Sequence, residues 1–153
     1  MKYFAKPDVS VIVITVICLA IIIALFCVAF QMKTDLFFKI MTISTLGLLA
    51  YFMVRAPIYT YIDEKKIKVK QVVGAKTFCL SDVELMKIEA DALDKAVRTF
   101  ASGGFAGYIG WFKSPTLGKF YMIASNTKDL LLIQTDTKKY VINCPIEHVQ
   151  DKK

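Results

Sequence analysis

The hydrophobic rhythm of the chain changes once, near Pro57. Before it, apolar residues run on with no polar face. Val9 to Phe30, VSVIVITVICLAIIIALFCVAF, is 22 residues without a charged side chain. At 1.5 Å per residue such a helix reaches about 33 Å, enough to cross a hydrocarbon core of about 30 Å. Leu36 to Val54 is a second run of 19 residues, interrupted only by Lys39 near its start. A lysine there can snorkel to the interface. The linker QMKTD is five residues long, so spans at 9–30 and 36–54 are predicted to form a tight transmembrane hairpin. A buried core helix would be shorter and would keep a polar face. The first run also exceeds a signal-peptide core and is followed by no A-x-A site, so it reads as an uncleaved anchor.

After Arg55-Ala-Pro57 the period becomes two. IYTYID (58–63), KIKVKQVV (66–73), KTFCL (76–80) and VELMKIEA (83–90) read as four strands separated by polar or glycine turns. GKFYMIAS (118–125), LLLIQTD (130–136) and KYVINC (139–144) read as three more. Pro145 then opens a tail with room for a short helix. About seven short antiparallel strands in so small a unit predict a bent barrel or sandwich, with the helix stub over one open end. The expected division is an anchor over 1–57 and a β domain over 58–153.

Between the two runs of strands lies RTFASGGFAGYIGWFKSPTLGKF (98–120), which holds five of the seven glycines, the one tryptophan and no acidic residue. Gly104, Gly107 and Gly110 are spaced G-x-x-G-x-x-G, which is neither the dinucleotide fingerprint nor a Walker loop. Phosphate loops also follow a parallel strand and open a helix, whereas Trp111, Phe112 and a strand follow here. The stretch therefore reads as a long insertion between the fourth and fifth strands. Two arrangements fit Phe100, Phe105, Tyr108, Trp111 and Phe112: packing over a sheet face or the C-terminal helix, or an outward patch for the bilayer or a partner. In the second case Arg98, Lys113 and Lys119, with Lys76, are candidate anion contacts.

The segments from the D-E-K-K turn through LSDVELMKIE, AVRTFASGGFAGYIGWFKSPTLGKFYMIAS and LLLIQTDTKKYVIN, about residues 58–144, resemble the bacterial pleckstrin-homology-like (PH) domain family. More narrowly, they resemble its small membrane-anchored members. The arginine-phenylalanine, glycine-rich and LGKFYMIAS sequence is the most specific part. The resemblance implies a mainly-β PH-like fold of seven strands and a C-terminal helix, and no settled activity. The tail Ile146–Lys153 is shorter than the closing helix usual in that family.

Charge adds orientation. The chain has 20 basic and 13 acidic residues, +7 in all, of which residues 58–153 carry +4 (15 basic, 11 acidic). Arg55, Lys65, Lys66, Lys68 and Lys70 follow the second span closely, which predicts a bacterial inner (plasma) membrane protein with both termini cytoplasmic. The excess is too dispersed for a nucleic-acid surface. Cys18, Cys27, Cys79 and Cys144 are isolated, with neither zinc nor disulfide spacing.

No catalytic constellation stands out. His148 is the only histidine, Asp91 and Asp94 sit beside Lys95 and Arg98 as a self-paired face, and Glu84 and Glu89 fall on opposite faces of a strand. A non-enzyme without cofactor is expected: a membrane-anchored binding or scaffold protein working through protein contacts with an unknown partner or a second copy of itself. The alternatives are an anionic-lipid headgroup sensor, or an accessory subunit of a membrane enzyme or transport complex.

Overall fold

In a computed structural model, the described residues are 1–31, 35–88 and 90–150. Lys33 and Glu89 lie outside them, as does the side chain of His148. The two apolar runs form helices α1 (Val9–Gln31) and α2 (Leu36–Arg55). Both are long and apolar enough to cross a membrane, and only 11% and 6% of these spans is buried. A core helix would be enclosed; these two candidate transmembrane helices present their apolar side chains outward.

The remainder is mostly strand. β1 (Lys2–Tyr3), β2 (Pro57–Ile62), β3 (Lys66–Gln71) and β4 (Ala75–Cys79) form a four-stranded sheet in that order. β5 (Glu84–Ile88), β6 (Val97–Gly103), β7 (Tyr108–Ser114), β8 (Gly118–Ala124), β9 (Leu130–Gln134) and β10 (Lys139–Asn143) form a second sheet, ordered β5-β9-β10-β8-β7-β6.

Three expectations are corrected. Nine strands, not seven, lie between Pro57 and Asn143, and Lys2–Tyr3 adds a tenth. The glycine-rich stretch is no insertion: it is the β6–β7 hairpin, whose alternation is hidden by glycines and by a bulge between Arg98 and Phe100. The pairing is not wholly antiparallel. β9 is placed one position away from β8, and β10 returns between them, parallel to β8 with Tyr140 opposite Tyr121. Of the barrel or sandwich expected, it is the sandwich that forms: no barrel closes, and the two sheets stay separate and pack face to face. The closing helix α3 is one turn, Glu147–Gln150, among the described residues.

The core has two layers. Ile62, Ile67, Val69 and Phe78 of the first sheet meet Ile123, Leu131, Ile133 and Ile142 of the second. The opposite face of the second sheet buries Phe112, Phe120, Met122, Leu130, Leu132 and Val141 beneath Leu93 and Ala96 of the β5–β6 connection. Leu130–Ile133 is therefore buried on both faces, which explains an uninterrupted apolar strand in place of an alternating one. Each such side chain contributes about 1.5–3 kcal/mol on burial.

A buried polar network centred on Asn143 borders this core. The Asn143 amide NH₂ donates to the carbonyl of Lys128 (2.7 Å) and to Oδ1 of Asn126 (2.8 Å), while its Oδ1 accepts the Ser125 N–H (2.6 Å). Thr60 donates to the Asn143 carbonyl (2.9 Å), tying the two sheets together. This network fixes the β8–β9 turn, which in turn holds the start of α1.

Burial pushes the Cys144 thiol up to about 12 from 9.0, while Cys79 is exposed. Only a thiolate alkylates readily, and that shift makes the Cys144 thiolate about a thousandfold scarcer. Maleimide at pH 8 should label Cys79 in the folded full chain and reach Cys144 only after unfolding. Mass mapping that finds both labelled at one rate would contradict this burial.

Candidate functional site at the junction of the β domain and the helices

The β6–β7 hairpin points its tip, residues 104–107, at the helices. The turn is tight: Gly104 N–H donates to the Gly107 carbonyl (3.1 Å) and the Ser102 hydroxyl to the Phe105 carbonyl (2.6 Å). Gly104 and Gly107 have φ of +127° and +121°, a region that side chains rarely adopt. A Cβ on Gly107 would also lie 2.7 Å from the Ala124 carbonyl oxygen.

The tip rests on α1. The Thr15 hydroxyl accepts the Ala106 N–H (2.9 Å) and donates to the Val11 carbonyl one turn back (2.6 Å). Thr15 is six residues beyond Val9, about 9 Å along the helix. Ala106 itself is left-handed, φ 58°, a conformation costing a non-glycine residue roughly 1–2 kcal/mol, so its bonded amide helps hold the turn. Beside it, Phe105 and Ile109 are buried against Phe52 of α2, with Cys18, Leu49 and Ala56 around them. Phe100 lies over Phe52 and Tyr51, ring centroids 6.1 and 6.5 Å apart.

Both helix ends are fastened to the strands as well. Before α1, the Lys6 carbonyl accepts the Asn126 amide (2.7 Å), and the Asp8 carboxylate accepts the Thr127 N–H (3.3 Å). Tyr3 donates to the Asp129 carboxylate (3.1 Å), and burial together with that carboxylate pushes the phenol up to about 12. At the end of α2, the Val54, Arg55 and Ala56 carbonyls accept from Val73 N–H (2.9 Å), Gln71 Nε2 (2.9 Å) and Val72 N–H (3.0 Å). These acceptors are the ones a helix C-terminus leaves without partners. The β3–β4 turn thus acts as the cap of α2.

The aromatic and basic candidates divide between sheet faces. Phe105 meets the helices, and Phe100 touches them while remaining 56% exposed. Phe112 is buried and stacks on Phe120 at 5.8 Å, with Tyr108 alongside. Trp111 faces the other way, edge-on to Tyr121 at 5.1 Å. Arg98 pairs in register with Phe112 and lines a cavity of about 160 Å³ with Tyr108 and Phe120. Lys113 and Lys119 stand directly opposite each other on the Trp111 face, Lys119 Nζ 5.0 Å from the tryptophan ring centroid. Lys76 lies over Tyr140 at 5.1 Å. Lys113 and Lys119 are thus brought together, and Arg98 is not among them.

Sequence reasoning passed over Thr15, Asp8, Tyr51 and Phe52. Thr15, a polar residue in the first turns of a long apolar run, was the available signal. Among the described residues no group of three His, Cys, Asp or Glu could hold a metal ion.

A family model described as a bacterial PH domain matches residues 59–145, more than half of the chain. Comparison with curated proteins and with solved structures gave no match.

Thr15→Val should leave the Ala106 N–H unsatisfied at a cost of about 1–3 kcal/mol, with Thr15→Ser close to the parent. Gly107→Ala should cost more, since it adds a backbone clash to a strained φ. Thermal unfolding of the full chain in lipid nanodiscs reads both; unchanged midpoints would mean that the tip is not seated on α1.

Proposed function

The chain belongs to the bacterial PH domain family, and from that premise we propose that it is a membrane-anchored binding and scaffold protein acting through protein contacts, without catalysis. Residues 1–57 serve as the anchor and 58–153 as the PH-like domain, on the cytoplasmic face of the plasma membrane with both termini inside. The basic residues after α2 support this orientation: Arg55, Lys65, Lys66, Lys68 and Lys70 would meet the positive-inside preference.

The observation that carries the reading is the triple fastening of the β domain to its helices. Tip, N-terminal segment and α2 end together suit a domain displayed in one orientation, as a scaffold requires. The hairpin aromatics Phe100 and Phe105 touch the chain's own helices, which supports a partner surface elsewhere. A groove of about 500 Å³ opens between Leu80, Val83, Glu84, Leu85, Met86, Ile146 and Val149, beside α3. Met86 is 53% exposed there, and β4 and β5 are both edge strands. A largely apolar groove beside open edges favours a protein ligand over a small polar one.

A photoreactive residue at Met86 of the full chain in native membranes should give one discrete adduct, and the same probe at Glu64 in the β2–β3 turn should give none. The adduct mass separates a second copy from another protein. No adduct at Met86, or equal labelling at both positions, would sink this placement. Protease added to inside-out vesicles should digest residues 58–153, and digestion from the opposite side would overturn the orientation.

A further inference from the structure

A second cavity lies beside the last turn of α2, on the Trp111 face and away from Arg98. It encloses about 260 Å³, and Arg55 of α2, Lys76 of β4 and Lys138 before β10 converge on it with Tyr51, Trp111 and Tyr140. No acidic side chain lines it, and among the described residues none of the three cations is ion-paired. Aromatic faces hold two of them: Arg55 lies 5.7 Å from the Tyr51 centroid and Lys76 5.1 Å from that of Tyr140. Three like charges gathered without a counter-charge repel one another, an arrangement that an anion would relieve.

The location selects the anion. Arg55 closes α2, so the cavity mouth stands where a span of that length leaves the hydrocarbon, and Tyr51 and Trp111 sit as interfacial aromatics do. Beside it, Met53 of α2 is exposed, which leaves apolar helix surface along which acyl chains can lie. Tyr121, bonded to Tyr51, has its phenol raised first by burial and then by Tyr51, against the pull of Arg55, so it stays protonated as a donor.

We propose that this cavity seats the phosphate of one anionic glycerophospholipid from the adjoining leaflet, with Arg55, Lys76 and Lys138 neutralising it. The inference rests on α2 crossing the bilayer, as the proposed function has it. The site is half anchor helix and half β domain, so neither part holds it alone. A filled site adds a lipid to the fastening of the two.

Trp111 is the only tryptophan and lies in the cavity wall, so its emission reports occupancy. The full chain is placed in phosphatidylcholine nanodiscs containing increasing phosphatidylglycerol. Emission should shift and saturate, and Lys76→Gln with Lys138→Gln should require about tenfold more phosphatidylglycerol or beyond. Lys65→Gln with Lys66→Gln, an equal charge loss at the start of β3, should leave the curve unchanged. Inorganic phosphate added to phosphatidylcholine nanodiscs should produce no shift. The proposal is overturned by a flat response, by equal weakening in both double variants, or by a shift with inorganic phosphate, which would mark a soluble ligand. Carbonate extraction of each variant checks anchoring separately, so a failed anchor and an empty cavity give different results.

Discussion

Backbone N–H and C=O groups tolerate no dry surroundings without partners, and the β6–β7 tip sits where water is scarce. It meets α1 about 9 Å beyond the first helical residue, among side chains suited to lipid. An unpaired amide there costs about 1–3 kcal/mol. The turn meets this constraint in two ways. Its own Gly104–Gly107 and Ser102–Phe105 bonds satisfy what they can reach, and Thr15 reaches across to the Ala106 N–H. Threonine suits the task because its hydroxyl donates to Val11 within the helix while accepting from the tip, so no polar group is left over.

The rest follows from holding that tip in place. Phe105 and Ile109 can bury against Phe52 because the turn is narrow enough to approach the helices. With the tip fixed, β6 and β7 become the helix-side edge of the second sheet, and the end of α2 falls beside the turn that caps it. The segment before α1 is drawn onto the β8–β9 turn, whose shape depends on the buried Asn143. Sandwich packing, helix capping and hairpin seating therefore support one another. The same geometry gathers Arg55, Lys76 and Lys138 at the helix end, a consequence of position that no single element encodes.

Much of the fold was legible because its signals are local. The two apolar runs and the strands at 58–63, 66–73, 76–80 and 130–136 announce themselves by length and period, and the structure places elements on each. The hairpin was not legible as strands: four glycines and a bulge remove the alternation that marks β6 and β7. Lys2–Tyr3 is too short to carry any pattern and exists only because Tyr61 and Thr60 lie opposite it. The parallel β8–β10 pair depends on where β9 goes, which is a long-range choice. At the site, sequence found the aromatic cluster but not the side to which each ring points. Phe105 and Phe112 are seven residues apart and enter different layers, because Phe105 lies in the turn against the helices and Phe112 on β7 against Phe120. Arg55 and Lys138 lay outside the glycine-rich segment, and nothing in their neighbours joins them.

The seating of the hairpin tip between the helices is tested most directly by a disulfide between Thr15→Cys and Ala106→Cys, in a full chain whose four native cysteines are replaced, oxidised in native membranes. Near-complete crosslinking is the expected result, with none for Thr15→Cys paired with Ser114→Cys, which lies at the far end of β7, roughly 20 Å from the tip. A Thr15–Ala106 pair that fails to crosslink, or that does so no better than the distant pair, would contradict it.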